Sequence, residues 1–133
     1  MVLVAMSIAK GHAADSKMVA RASWDAGIEA YNNKEYAEAV EAFESVVAHG
    51  CASADVYYNL ANAYFKLGQQ TTNSSRPFAG GELGNAVLNY ERALRLDPTM
   101  DDARYNLDIA KDMTNDTESV PDSFIKHLWY SLA

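Results

Sequence analysis

The chain has 133 residues, 49% of them hydrophobic and 22% charged, which is the size and composition of a single packed globular domain. Its formal net charge of -7, from 11 Lys and Arg against 18 Asp and Glu, argues against nucleic acid as a partner and is compatible with a basic protein partner. Cys51 is the single cysteine, which excludes an intrachain disulfide and a thiolate metal cluster.

We predict that residues 1–15 form a leader that precedes the folded domain. An apolar run from Val2 to Ile8 is followed by small residues up to Ala14. This order resembles the end of a secretory signal with cleavage near Ala13 or Ala14, although no basic segment precedes the run. A frayed helix is the alternative. No stretch of the sequence approaches the roughly 18 apolar residues that a membrane span requires.

Apolar periodicity and helix stop signals predict a series of helices between residues 16 and 113. In chain order they are α1 from Ser16 to Asn32, α2 from Glu35 to Ala48, α3 from Ala54 to Leu67, α4 from Glu82 to Leu96 and α5 from Asp101 to Met113. Gly50 and Pro98 mark the ends of α2 and α4, and Gly68 is expected to end α3 in a left-handed conformation. The segment 70–82 is rich in turn-forming residues and is predicted to be a surface loop.

A pattern with a period of 34 residues links these helices once the segment 70–82 is set aside as an insertion. Small residues recur where two helices must meet closely, and aromatic rings recur in the gaps between them. The residues at equivalent positions of the two repeats are Gly27 and Ala61, Ala39 and Ala86, and Phe43 and Tyr90. This spacing resembles tetratricopeptide (TPR) helix pairs, and it predicts an all-α, right-handed solenoid. The TPR domain would cover residues 16–113, with repeats at 20–53 and 54–100 and a capping helix at 101–113.

The capping role of α5 is predicted from Asp108 and Lys111, since charged side chains do not fit a tight seam between helices. Residues 114–133 are predicted to form a polar linker and a last helix after Pro121. The apolar residues of that helix that share one face are Phe124, Ile125, Leu128, Trp129 and Leu132. This stripe either folds back on the solenoid or leads into a membrane segment beyond residue 133.

Aromatic and carboxamide residues recur on α1, α3 and α5, the helices that line the concave groove in a TPR array. The candidate groove residues are Trp24, Ile28, Tyr31, Tyr58, Asn59, Asn62, Phe65, Tyr105 and Asn106. Rings supply contact area at low entropic cost, and carboxamides both donate to and accept from a peptide backbone. We therefore predict a groove for an extended segment or a helix, with core packing as the alternative role of each ring. We do not expect a clamp for a C-terminal carboxylate, because such a clamp uses Lys or Arg. One of the repeat positions that it uses holds Arg21, Asp55 and Asp102, and two of these are acidic.

No catalytic residue, cofactor or metal ligand is predicted. The histidines, His12, His49 and His127, are far apart, and none has a carboxylate or nucleophile at a helical spacing that would form a site. Gly80 and Gly81 lack the strand and the Lys-Ser/Thr of a phosphate loop. The aspartates of α5 are interpreted as a solvated face rather than a cation site.

Three segments carry a narrower resemblance, at residues 55–64, 87–98 and 102–107. Their sequences are DVYYNLANAY, VLNYERALRLDP and DARYNL. Together with the start at Ala14 and the Pro/Trp-containing tail, they resemble BatE-type TPR proteins of bacterial aerotolerance (Bat) operons. The resemblance implies a domain at the periplasmic face of the bacterial inner membrane that binds membrane-attached operon products, some with von Willebrand A domains. The insertion and the lack of membrane helices in this chain depart from that family's pattern.

The predicted function is therefore a non-catalytic protein-interaction scaffold that binds a partner segment in its groove. A self-assembling module is the alternative, in which the incomplete ends of the solenoid stack or swap to form a homo-oligomer. A cytoplasmic location is the alternative to the periplasm.

Overall fold

The computed structural model describes residues 2–70 and 81–116, and in these two ranges it is all-helical, with no strand. The helices are α1 (Val2–Asn32), α2 (Tyr36–Ala48), α3 (Ala54–Gln70), α4 (Glu82–Leu96) and α5 (Asp101–Asp116). Each helix packs against the next one in the chain. The predicted all-α solenoid of TPR helix pairs is confirmed.

The helices form two layers, with α1, α3 and α5 in one and α2 and α4 in the other. Side chains of α5 bond to side chains of α3 across the first layer. Val47 of α2 and residues of α4 line one cleft, together with Tyr57 of α3. The functional candidates of the sequence are therefore on helices of the first layer, whose outer side we call the α1/α3/α5 face.

Close packing of α1 against α2 explains the glycine at residue 27. A Cβ atom added to Gly27 would lie 2.6–2.9 Å from three carbons of the Phe43 ring, which is itself fully buried. The equivalent pair in the second repeat, Ala61 and Tyr90, is also buried, at 0% and 1% exposure. The small and aromatic residues that recur in the repeat thus lie where the two helices of each pair pack together, as predicted.

Turn chemistry ends α2 and α4 where the sequence predicts. Gly50, just after α2, has a φ of +76°, a conformation that favours glycine. Asp97 is extended, as a residue before proline should be. One Asp97 carboxylate oxygen accepts hydrogen bonds from the hydroxyl and the amide of Thr99, and these bonds lower the pKa of Asp97.

Helix α1 begins at Val2, well before the predicted start at Ser16. Residues 11–15 are exposed, so this part of the helix does not depend on packing. Alanine, methionine and lysine are good helix formers, and no proline interrupts the segment. Signal processing of residues 1–15 stays a prediction. Within the described residues, no helix combines the length and apolarity needed to cross a bilayer.

The prediction that Gly68 ends α3 in a left-handed conformation is wrong. The helix continues to Gln70, and Gly68 is a buried residue within it. The left-handed glycines of the described residues are Gly50 and Gly81. The Gln70 amide donates to the Lys34 carbonyl oxygen at 2.9 Å, which ties the end of α3 to the turn between α1 and α2.

Two predicted segments fall largely outside the described residues. The loop 70–82 lies outside at residues 71–80, whereas its first and last residues belong to α3 and α4. Helix α5 extends to Asp116, past the predicted end at Met113. The predicted C-terminal helix and its apolar stripe lie in residues 117–133, outside the described range.

Candidate functional site on the α1/α3/α5 face

A hydrogen-bond network joins three helices at the centre of the α1/α3/α5 face. The Asn106 Nδ2 group, on α5, donates to Asn62 Oδ1 on α3 at 3.2 Å and lies 3.5 Å from the Tyr58 hydroxyl. The hydroxyl of Tyr90, on α4, donates to the same Asn62 oxygen at 2.6 Å. We call these four residues the Tyr-Asn network. It brings together three of the predicted groove residues and fixes their positions.

Tyr90 was predicted only as a packing residue, and its part in the network was missed. Its ring is 1% exposed and lies 6.2 Å from the Tyr58 ring, centroid to centroid. A comparison of the two repeats could have indicated this contact. Where the first repeat pairs Ile28 with Phe43, the second repeat has Asn62 and Tyr90 at the equivalent places. Two apolar residues of the first repeat thus correspond to a hydrogen-bonded pair in the second.

Tyr90 and Tyr31 keep their protons at neutral pH. Burial raises the pKa of Tyr90, and the phenols of Tyr58 and Tyr31 raise it further. Burial also raises the pKa of Tyr31, followed by the neighbouring phenols of Tyr36 and Tyr58. These hydroxyls are therefore close enough to affect one another and act as neutral donors.

The predicted residues of α1 contribute mainly to the core. Trp24 is half-buried and meets the Phe43 ring edge-on, with 5.5 Å between centroids. Ile28 packs against the same buried cluster. Tyr31 is half-buried and meets the Tyr36 ring at 5.2 Å, also edge-on. These contacts leave only parts of the three side chains open to a partner.

The remaining candidates differ in how much they offer a partner. Phe65 is half-buried and packs on the cluster between α3, α4 and α5. Asn59 donates to the Asp55 carbonyl oxygen of its own helix at 2.8 Å, so one of its donors is used locally. Tyr105 is 68% exposed and, with Ile109 at 37%, forms the open apolar part of α5. Tyr105 is therefore the best-placed aromatic contact for a partner.

Exposed carboxylates accompany the network. Asp25 on α1, Asp55 on α3 and the pair Asp102 and Asp112 on α5 are all exposed. They stand at the repeat positions that flank a TPR groove, together with the exposed Arg21 of α1, and they outnumber that cation, so the border is acidic.

His49, Ser45 and Ser23 form a hydrogen-bonded chain between α1 and the end of α2. The Ser23 and Ser45 hydroxyls are 2.9 Å apart, and His49 Nδ1 lies 2.8 Å from the Ser45 carbonyl oxygen. Since a carbonyl only accepts, Nδ1 must donate, and the ring secures the end of α2. Among the described residues no group of three or more His, Cys, Asp or Glu is placed to hold a metal ion.

Comparison with protein families identifies one tetratricopeptide repeat, matched at residues 54–71. The match covers helix α3, which carries Tyr58, Asn59, Asn62 and Phe65. No curated protein matches the chain. The resemblance to BatE-type proteins consequently stays a prediction.

Proposed function

Since the chain contains a tetratricopeptide repeat within an all-helical array, we propose that it is a non-catalytic scaffold whose α1/α3/α5 face binds a segment of a partner protein. TPR repeats generally mediate protein-protein interaction, and binding by such a face requires no chemistry. The observation that carries the proposal is the Tyr-Asn network, which holds polar groups in place before a partner arrives.

The network leaves complementary atoms to offer a peptide backbone. Asn62 Oδ1 already accepts two hydrogen bonds, so this side chain offers a partner its Nδ2 donor. Asn106 uses Nδ2 within the network and offers its Oδ1 acceptor. A carboxamide donor and a carboxamide acceptor on adjacent helices match the C=O and N–H of an extended segment.

The apolar and charged surroundings define the partner segment further. Exposed Tyr105 provides a rigid ring for an apolar side chain, the type of contact that dominates many interfaces. The acidic border at Asp25, Asp55 and Asp102 favours lysine or arginine on either side of that anchor. The proposed ligand is thus a basic segment with an apolar anchor.

Substitution of Tyr105 tests the proposal with little risk to folding, because its side chain is exposed. We expect Tyr105→Ala to weaken a captured partner by roughly ten-fold or more, and Asn106→Ala to weaken it as well. Met18→Ala is the control, since Met18 is 71% exposed on α1, a helix that contributes no residue to the network. Partners would be captured from a bacterial membrane extract with the wild-type chain and then titrated calorimetrically against each variant. Equal affinity of all variants would reject the face as the binding site.

Self-assembly is tested with the same variants. Sedimentation of the purified chain over a range of concentrations would show whether it forms oligomers. An oligomer that Tyr105→Ala dissociates, with no other protein captured, would favour the self-assembling module over the scaffold.

A finer proposal concerns the partner and its location, and it is supported by the resemblance to BatE-type proteins. The partner would be a membrane-attached product of the same operon, in a complex linked to aerotolerance at the periplasmic face of the inner membrane. Protease treatment of intact spheroplasts would test the location. Digestion of the chain before lysis is expected, whereas protection until lysis would place it in the cytoplasm.

A further inference from the structure

A cleft of about 460 Å³ opens on the other layer of the protein, between the end of α2 and the second half of α4. Its size is within the range of sites that hold small molecules or a few residues of peptide. Tyr57, in the first half of α3, contributes to its wall. It lies apart from the Tyr-Asn network, and it shares no residue with it.

Two arginines of α4 face this cleft. The Arg92 guanidinium lies 5.6 Å from the centroid of the Tyr57 ring, and its Nη1 group is 3.4 Å from Asn89 Oδ1. Arg95, one turn further along α4, is exposed at the cleft. The ring and the carboxamide hold Arg92 in position, so less side-chain entropy is lost when it binds an anion.

The charged side chains that line the cleft are mostly basic. Among the described residues that line the cleft, the one acid is Glu91, whose carboxylate is bridged by Lys111 of α5 at 2.8 Å. The cleft is therefore locally basic in a chain whose net charge is -7.

The wall beside the arginines is apolar. Leu96 is 56% exposed, and Val47 and Leu88 line the same cleft. Guanidinium groups bind carboxylates in a planar, bidentate geometry, and an aliphatic side chain can cover exposed leucine. The geometry points to a second interaction site, which binds an acidic protein segment through its Asp or Glu carboxylates on Arg92 and Arg95 and an aliphatic side chain on Leu96.

This site has the opposite charge preference to the α1/α3/α5 face and does not depend on that face's proposed function. A scaffold with both sites can hold a basic segment on one layer and an acidic segment on the other. A negative result for the cleft site would leave the proposal for the Tyr-Asn network unchanged.

Nuclear magnetic resonance titration tests the site directly. The probe is a short acetylated and amidated peptide of alternating Asp and Leu, added to the ¹⁵N-labelled full chain up to millimolar concentration. We expect saturable shifts of the backbone amides of residue 57 and residues 88–96. Arg95→Gln, at an exposed position, should weaken the affinity about ten-fold, and Arg92→Gln/Arg95→Gln should abolish it. Arg21→Gln makes the same charge change on α1 and should have no effect.

Each other result overturns the assignment. If Arg95→Gln has an unchanged circular dichroism spectrum and binds the peptide as tightly as the wild type, the arginines are not the groups that bind it. No shift at millimolar peptide, or shifts spread over all exposed basic residues, would exclude a defined site. Equal shifts with inorganic phosphate, or with a peptide carrying Asn in place of Asp, would exclude recognition of an acidic peptide. Tyr105→Ala should leave the titration unchanged, which separates this site from the proposed partner-binding face.

Discussion

Exchanging the Asn62–Tyr90 pair for the Ile–Phe pair of the first repeat should reveal a strong energetic coupling. Tyr90→Phe removes a buried donor and costs about 1 kcal/mol, since Asn62 Oδ1 keeps its bond from Asn106. Asn62→Ile removes the acceptor of the 1% exposed Tyr90 hydroxyl and should cost about 1–3 kcal/mol. The double variant leaves no unpaired hydroxyl at this contact, so it should cost about 1–2 kcal/mol less than the sum of the single variants.

Urea unfolding followed by circular dichroism measures the stability of the wild type, the two single variants and the double variant. The midpoints are compared at a constant m value, since a changed m would signal an altered denatured state rather than a lost bond. Tyr105→Phe serves as the control, because its hydroxyl is on an exposed ring and its loss should change stability by less than about 0.5 kcal/mol. Additive costs within about 0.5 kcal/mol would show that the two residues are not coupled, and the argument from the paired exchange would then be refuted.

Three further predictions concern stability. Gly27→Ala should destabilise the fold by about 1–2 kcal/mol, as the clash with buried Phe43 exceeds the gain in helix propensity, whereas Gly84→Ala, with open space around it, should stabilise by about 0.5–1 kcal/mol in the same urea assay. Burial raises the pKa of Tyr90 above its ordinary value of 10.0, so the protonated hydroxyl contributes its full stabilisation below pH 10 and loses it as the pH rises through the folded-state pKa. Tyr90→Phe should therefore reduce the fall in unfolding free energy above pH 10. An unchanged slope of unfolding free energy against pH would contradict this. Lys111→Met removes an ion pair with Glu91 of α4, whose side chain is only 19% exposed, and should lower the unfolding free energy by about 1 kcal/mol. No loss in thermal or urea unfolding would contradict this.

Helix α1 shows why boundaries are harder to predict than helices. The segment before Ser16 has a mixed pattern that resembles a leader, yet it continues the helix because nothing in it stops one. Gly68 shows the opposite error. A glycine near the end of a periodic segment predicts a stop, but a buried glycine inside a helix looks identical in sequence.

The candidate site was predictable as a face rather than as individual contacts. Repeat spacing placed Tyr58, Asn62 and Asn106 on helices of the same layer, and the structure joins them. The same spacing treats Trp24 and Tyr105 as equivalent. Trp24 has an α2 neighbour to pack against, whereas Tyr105 lies on the last described helix and is 68% exposed.

The sequence alone determined the features that depend on local periodicity and on small residues at fixed spacing: the helix pairs, their seams at Gly27 and Ala61, and the turns at Gly50 and Pro98. Tertiary structure decided what depends on neighbours distant in the chain. It brought the Tyr90 hydroxyl from α4 to Asn62 of α3, and it formed a basic cleft from the ends of α2 and α4 in an acidic protein. The physical reason is that a helical period specifies which side of a helix is buried, whereas the atoms that a side chain meets there are set by the packing of other helices.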